Sequence, residues 1–233
     1  MSELTLIIGN RNYSSWSLRA WLVLKKTGAE FEETVIPLGQ PDSREQILRF
    51  SPSGLGPVLL HGERTVWETL AIAEYLAELF PDARLWPKDP EARAMARAIS
   101  AEMHAGFTEL RRNMPMNIRA SYPGAGMTEA VQKDINRIEA IWLDCRKRFG
   151  SGGEMLFGSF TIADAMFAPV ATRFTTYGVK LGETARAYPV REIQTAPDGV
   201  VRDTIDGETI VLQADAASGS VRIVRAPERA LVV

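Results

Sequence analysis

Residues 51–76 read SPSGLGPVLLHGERTVWETLAIAEYL, and this stretch decides the fold. Pro52, Gly54, Gly56 and Pro57 make a tight loop, because proline fixes the backbone and glycine takes up turns that other residues resist. Val58-Leu59-Leu60 is a short apolar strand. His61-Gly62-Glu63-Arg64 reads as a hairpin turn, and Thr65-Val66-Trp67 as the strand that returns. Ile72, Tyr75, Leu76, Leu79 and Phe80 then recur at helical spacing until Pro81 stops the helix.

On the N-terminal side, Leu4–Ile8 is an apolar run ending at Gly9 and reads as a buried strand. The polar stretch Asn10–Ser15 leads into a helix over Trp16–Leu24, which closes on Lys25-Lys26-Thr27-Gly28, basic residues and then glycine. Phe31–Leu38 is a second strand, and Arg44–Phe50 is partly helical. The order β-α-β-α-β-β-α within about 80 residues joins one crossover unit to one hairpin, which gives a small mixed sheet with helices on both faces.

On the C-terminal side, Leu85–Pro90 reads as a linker. Met95, Ile99, Met103, Phe107 and Leu110 predict one long amphipathic helix, and Val131, Ile135, Ile138, Trp142, Cys145 and Phe149 a second. Thr161-Ile162-Ala163-Asp164 resembles a capping box and starts a third, from Ala165 to about Tyr177. The expected fold class is therefore α/β plus all-α. Its expected parts are a first domain over 1–82, a linker over 83–90, a helical bundle domain over 91–188 and an atypical tail over 189–233. In the tail, Asp198-Gly199 and Asp206-Gly207 are turn signals between weakly alternating segments. It carries few large apolar residues and is expected to pack less firmly than the rest.

The 233 residues are 45% hydrophobic and 24% charged, an ordinary globular balance. A net charge of −2 and a pI near 5.8 give no general pull toward nucleic acid or acidic membranes. The lone Cys145 excludes an internal disulfide. With His61 and His104 as the only histidines, a histidine-based metal site is not expected. No basic leader precedes the first apolar run, and no run approaches a membrane span. The expectation is a soluble, cytoplasmic protein with neither nucleic-acid nor membrane partners.

Four segments carry a resemblance to a known family. They are Asn12–Arg19, Ser51–Leu59, Trp67–Leu76 and Phe157–Ala165, within a span from residue 4 to about 188. The second and third, at their mutual spacing, are the specific ones. They resemble glutathione transferases, nearest the zeta-like bacterial branch that includes maleylacetoacetate isomerases. The resemblance implies a thioredoxin-like N-terminal domain, a helical C-terminal domain, glutathione as co-substrate, no metal, a role in detoxification, and a homodimer.

Glutathione chemistry needs a thiolate, yet a free thiol has a pKa of about 8.5. A hydroxyl at a helix N-terminus favours the anion, since the helix dipole and the free N–H groups point there. Ser14, Ser15 and Ser17 sit where strand one gives way to helix one. The resemblance implies that Ser14 holds the thiolate, with Ser15 the second choice and Ser17 a cap. Gly56-Pro57, with Val58, resembles the family's cis-proline turn, whose backbone pairs with the glutathione backbone. Gly56 stands where the family more often has a β-branched residue. Glu68-Thr69 opens helix three where the family has an acidic residue and a serine; Glu68 suits the γ-glutamyl ammonium, and Thr69 the carboxylate. Arg11 and Arg44 are lesser candidates for the glycyl carboxylate, each better explained as solvated surface.

Trp16, Met103, His104, Phe107 and Arg111 are candidates for a second-substrate pocket by resemblance, with Met114 beside them. Arg111, Arg112 and Arg119 suit an anionic electrophile or a solvated face equally well. Asp164 is read as structural, and Cys145 as a core residue. A disulfide oxidoreductase is rejected, because Ser14-Ser15-Trp16-Ser17 offers no attacking cysteine. Two functions remain: an enzyme that activates the glutathione thiol for conjugation or for assisted isomerisation, and a non-catalytic binding or regulatory module. The surviving hydroxyl and the Glu68-Thr69 pair favour the enzyme.

Overall fold

The computed structural model describes residues 4–151, 153–181, 200–205, 208–214 and 221–225. The chain divides into two compact units, 1–186 and 187–233.

The first unit opens with β1 (Leu4–Ile8), α1 (Ser15–Lys26), β2 (Glu32–Val35), α2 (Ser43–Leu48), β3 (Val58–His61), β4 (Arg64–Trp67) and α3 (Thr69–Leu79). This is the βαβαββα order expected from the sequence. The sheet runs β2-β1-β3-β4, with β1–β2 parallel and the other two pairs antiparallel. The register pairs Ile7 with Val58 and Leu6 with Leu59. Side chains alternate along a strand, so these two pairs point to opposite faces. Ile7 and Val58 join Ile36 and Ile47 in one apolar cluster, which packs α2 on that face. Leu6 and Leu59, on the other face, are wholly buried too. The central strand β1 is covered on both sides and has no solvent face to populate with polar residues, which explains its nearly unbroken apolar run. The second strand is shorter than the sequence suggested, ending at Val35 before Pro37.

After a 3-10 turn at Pro81–Ala83 come α4 (Pro90–Ala105), α5 (Thr108–Asn113), α6 (Glu129–Phe149) and α7 (Ile162–Thr176). The stripe of α6 is buried as the periodicity predicts, with Val131, Ile135, Ile138, Trp142 and Cys145 forming one continuous face. α7 packs against both α1 and α4. The capping box at its start is formed, with Asp164 Oδ2 accepting from the Thr161 N–H at 2.7 Å and Oδ1 from the Leu156 N–H at 2.9 Å. Burial pushes the Asp164 pKa above the ordinary carboxylate value while these bonds oppose the rise. Cys145 is a core residue, as expected.

One expectation is corrected. Met95 to Leu110 is not one helix: α4 ends at Ala105, and Phe107 takes a left-handed conformation with φ 55° before α5 begins. Gly106 permits the break, since a Cβ there would meet the Glu102 carbonyl oxygen at 2.8 Å. Asp134 on α6 accepts from the Leu110 N–H at 2.9 Å, which satisfies a donor in the first turn of the new helix. Among the described residues, no helix is long and apolar enough to cross a membrane.

The second unit contains β5 (Val200–Ile205), β6 (Glu208–Ala214) and β7 (Val221–Arg225), an antiparallel sheet in that order. The register sets Ile205 against Glu208, in keeping with the turn signal read at Asp206-Gly207. That dipeptide and Asp198-Gly199 both lie outside the described residues.

Candidate active site

The loop from Gly9 to Ser14 is organised by its own polar groups. The Asn10 carbonyl accepts from the Tyr13 and Ser14 N–H groups, and Asn10 Oδ1 accepts from the Leu38 N–H at 2.7 Å. Ser14 then caps α1, its Oγ accepting weakly from the Ser17 N–H at 3.4 Å. The Ser14 hydroxyl donates to Ser17 Oγ at 2.8 Å, and Ser17 Oγ accepts in addition from the Gly9 N–H at 3.0 Å. The structure thus reverses one expectation: the cap is Ser14, while Ser17 is a buried relay between Ser14 and the end of β1.

Ser14 and Gly56 line the same small cleft, about 290 Å³ including its open mouth, together with Gly9, Ser17, Leu38 and Val58. Ser15 does not line it. The Gly56–Pro57 bond is cis, as expected from the motif. Pro57 and Val58 are buried behind it, and nothing lies within 4 Å of where a Gly56 Cβ would be.

Glu68 takes φ 78°, one of three non-glycine residues with positive φ among those described. Such a conformation costs on the order of 1–3 kcal/mol and is often found at binding sites. Glu68 is the N-cap of α3, with Oε2 accepting from the Leu70 N–H at 3.1 Å. Thr69 is wholly buried, and its hydroxyl donates to the Trp16 carbonyl at 3.2 Å, joining the first turns of α3 and α1. Its proton is therefore committed within the protein. Arg11 is likewise engaged, with Nη2 2.7 Å from Glu33.

Of the five residues read as a second-substrate pocket, three meet. The His104 ring lies 5.2 Å from that of Trp16, and the Arg111 guanidinium 5.5 Å from the same ring. Arg111 Nη1 also donates to the His104 carbonyl at 3.1 Å. Met103 and Phe107, by contrast, are buried in the core, and so is Met114.

Two groups in this region escaped the sequence reading. Arg19 is fully buried; its Nε donates to the Met166 carbonyl at 2.8 Å, while Nη1 and Nη2 have no hydrogen-bond partner. Burial lowers its pKa to about 9, with Arg173 and then Arg111 adding to the fall and Glu68 opposing it. Arg173, also buried, is lowered to about 10 by burial and by Arg111. The signal for Arg19 was its place four residues after Ser15 and four before Val23, on the buried stripe of α1. Asn12 is the second. Its Nδ2 donates to Asn117 Oδ1 at 2.8 Å, and its Oδ1 accepts from the Arg119 N–H at 3.1 Å, so it pins residues 117–119 beside the serine loop.

Comparison with known proteins identifies relatives of the chain by sequence and by fold. Residues 13–79 match the sequence model of the glutathione S-transferase N-terminal domain. The chain is 36% identical over 178 residues to maleylacetoacetate isomerase of Mus musculus, covering 73% of this chain and 78% of that protein. It is 28% identical to the probable maleylacetoacetate isomerase of Caenorhabditis elegans, covering 70% and 77% of the two chains. Among solved structures, a glutathione transferase homolog from Burkholderia with bound glutathione superposes with a TM-score of 0.57 at 27% identity, over 78% of this chain and 86% of that one.

Proposed function

The chain belongs to the glutathione S-transferase family, and from that premise we propose that it binds glutathione in the Ser14–Gly56 cleft and uses the thiolate to attack a small electrophile. The observation that carries this reading is that Ser14, the N-cap of α1, shares one cleft with the cis Gly56–Pro57 turn.

The Ser14 hydroxyl, given to Ser17 in the structure, rotates to donate to sulfur when the thiol ionises. The α1 N-terminus adds its dipole and its free N–H groups. Lowering the thiol pKa by about two units requires roughly 2.7 kcal/mol of preference for the anion. A hydrogen bond to a charged group, worth about 1.5–3 kcal/mol, supplies most of that. Ser15, off the cleft, is the second choice. Gly56 supplies backbone groups to the peptide of glutathione, with Pro57 and Val58 fixing the turn. Glu68 takes the γ-glutamyl ammonium, and the first turn of α3 beside Thr69 takes the carboxylate.

In this reading, residues 1–82 form the glutathione-binding domain, 91–188 the helical domain, and the protein works as a cytoplasmic homodimer. The thiolate adds to an electrophilic carbon. Where the product keeps the new C–S bond, the reaction is conjugation. Where the acceptor is a cis double bond next to a carbonyl, addition gives an enolate whose former double bond can rotate. Expelling the thiolate then restores the alkene as the trans isomer and regenerates glutathione. The 36% identity to a maleylacetoacetate isomerase favours isomerisation as the second outcome.

Steady-state assays on both reaction types test this. Glutathione-dependent turnover of either a chromogenic aryl halide or a cis-enedione acid, reduced at least tenfold by Ser14→Ala, agrees with the proposal. A folded protein inactive on both classes contradicts it.

A further inference from the structure

We propose that His104, in the last turn of α4, is a positioning residue for Glu68: it steadies one carboxylate oxygen so that the other meets the ammonium of glutathione. This rests on the reading of Glu68 given above.

Both recorded contacts of the carboxylate fall on the same oxygen. The Leu70 N–H reaches Glu68 Oε2 at 3.1 Å, and His104 Nδ1 lies 3.7 Å from Oε2. Neither involves Oε1. The Nδ1 atom is buried and has no hydrogen-bond partner. A buried ring nitrogen without a partner is costly, so the polar atom nearest to it has a strong claim on it. The separation exceeds a hydrogen bond, and contacts of this kind commonly shorten when a ligand arrives. A neutral imidazole with its proton on Nδ1 has the polarity that a carboxylate oxygen requires.

Both partners have little freedom. The ring of His104 is tilted 59° against Trp16 at 5.2 Å, and its backbone carbonyl is held by Arg111. Glu68 is fixed by its left-handed backbone and by its capping bond. The other charged groups of the cluster are Arg111 on α5 and Arg19 on α1, both set against the Trp16 ring. Neither is recorded in a hydrogen bond to the carboxylate, which leaves His104 as the side chain that orients it. α4, an element of the helical region, thereby takes part in recognising glutathione, and His104 serves the first substrate in place of lining a pocket for the second.

Calorimetric titration with glutathione and with S-methylglutathione, which has no thiol to ionise, tests the assignment on five full-length proteins: wild type, His104→Asn, His104→Leu, Glu68→Gln and Glu68→Gln/His104→Leu. Asparagine places an N–H near the position of Nδ1, and leucine does not. The expected result is that His104→Leu weakens both ligands about tenfold, the equivalent of about 1.4 kcal/mol. His104→Asn stays within about threefold. On a Glu68→Gln background, leucine should add little further loss. Equal losses in the asparagine and leucine variants would overturn the assignment, as would a full additional loss on the Glu68→Gln background. A wild type that binds neither ligand would overturn the glutathione reading itself, and this inference with it.

Discussion

The guanidinium of Arg19 lies 4.5 Å from the centre of the Trp16 ring, wholly inside the protein. Two of its nitrogens have no hydrogen-bond partner, and of its charged neighbours Arg173 and Arg111 share its sign while Glu68 opposes them more weakly. The ring face compensates part of the desolvation, by about 2 kcal/mol or more for a desolvated contact of this kind. Arg19 is therefore held by shape and stacking more than by charge pairing. Arg19→Met, which fills similar space without the charge, should leave stability within about 1 kcal/mol of wild type. Arg19→Ala, which leaves a cavity, should cost about 2–5 kcal/mol. Urea unfolding of the two variants checks this, and equal losses in both would show that the charge itself is what the fold needs.

Ser17 illustrates a support role. Replacing it with alanine strands the buried Gly9 N–H, whose acceptor is Ser17 Oγ. The expected cost is about 1–3 kcal/mol of stability. The Ser14 hydroxyl loses its present acceptor but keeps its place as the cap, so the pKa of bound glutathione should hardly move. Denaturation and thiolate absorbance together separate the two effects. A large pKa change with unchanged stability would assign Ser17 to the chemistry.

Gly56 is a glycine that its surroundings do not require. Its φ lies outside the left-handed region, and a Cβ there meets nothing within 4 Å. Gly56→Ala should stabilise the protein by about 0.4–1 kcal/mol, because it restricts the unfolded chain. Glutathione should bind the variant as it binds wild type, since the backbone groups are unaltered. Thermal unfolding and calorimetry check both statements.

Cys145 carries no reactive thiol in the native state. Burial pushes its pKa up to about 12. Thiol reagents at pH 8 should label it only as urea unfolds the protein. Because the unfolded thiol ionises first, the native state binds more protons between pH 9 and about 12. Stability should then fall with rising pH across that window, by at most about 1.4 kcal/mol per pH unit. Cys145→Ala should lack this contribution, which comparing the two stability–pH slopes tests.

The parts of this structure legible in the sequence are those with local signals. The loop 51–57, the hairpin turn at His61–Arg64 and the stripe of α6 each announce themselves through residue type or spacing. The break between α4 and α5 does not, because Met103, Phe107 and Leu110 keep a helical spacing straight across it. Gly106 was the one local hint. The Asn12–Asn117 bond joins residues 105 apart, and nothing local in either segment foretells it. The serines were found as a group, but their division of labour depends on where β1 ends. Only the fold places the Gly9 N–H against Ser17 and leaves Ser14 on the cleft.

The most direct test of the central claim is the ultraviolet absorbance of the thiolate of enzyme-bound glutathione, followed against pH in wild type, Ser14→Ala and Ser15→Ala. The account predicts that wild type lowers the thiol pKa by about two units from its value of roughly 8.5 in solution. It predicts that Ser14→Ala still binds glutathione but loses most of that shift, and that Ser15→Ala keeps it. A shift that survives in Ser14→Ala, or wild-type protein that binds glutathione without lowering its pKa, would contradict it.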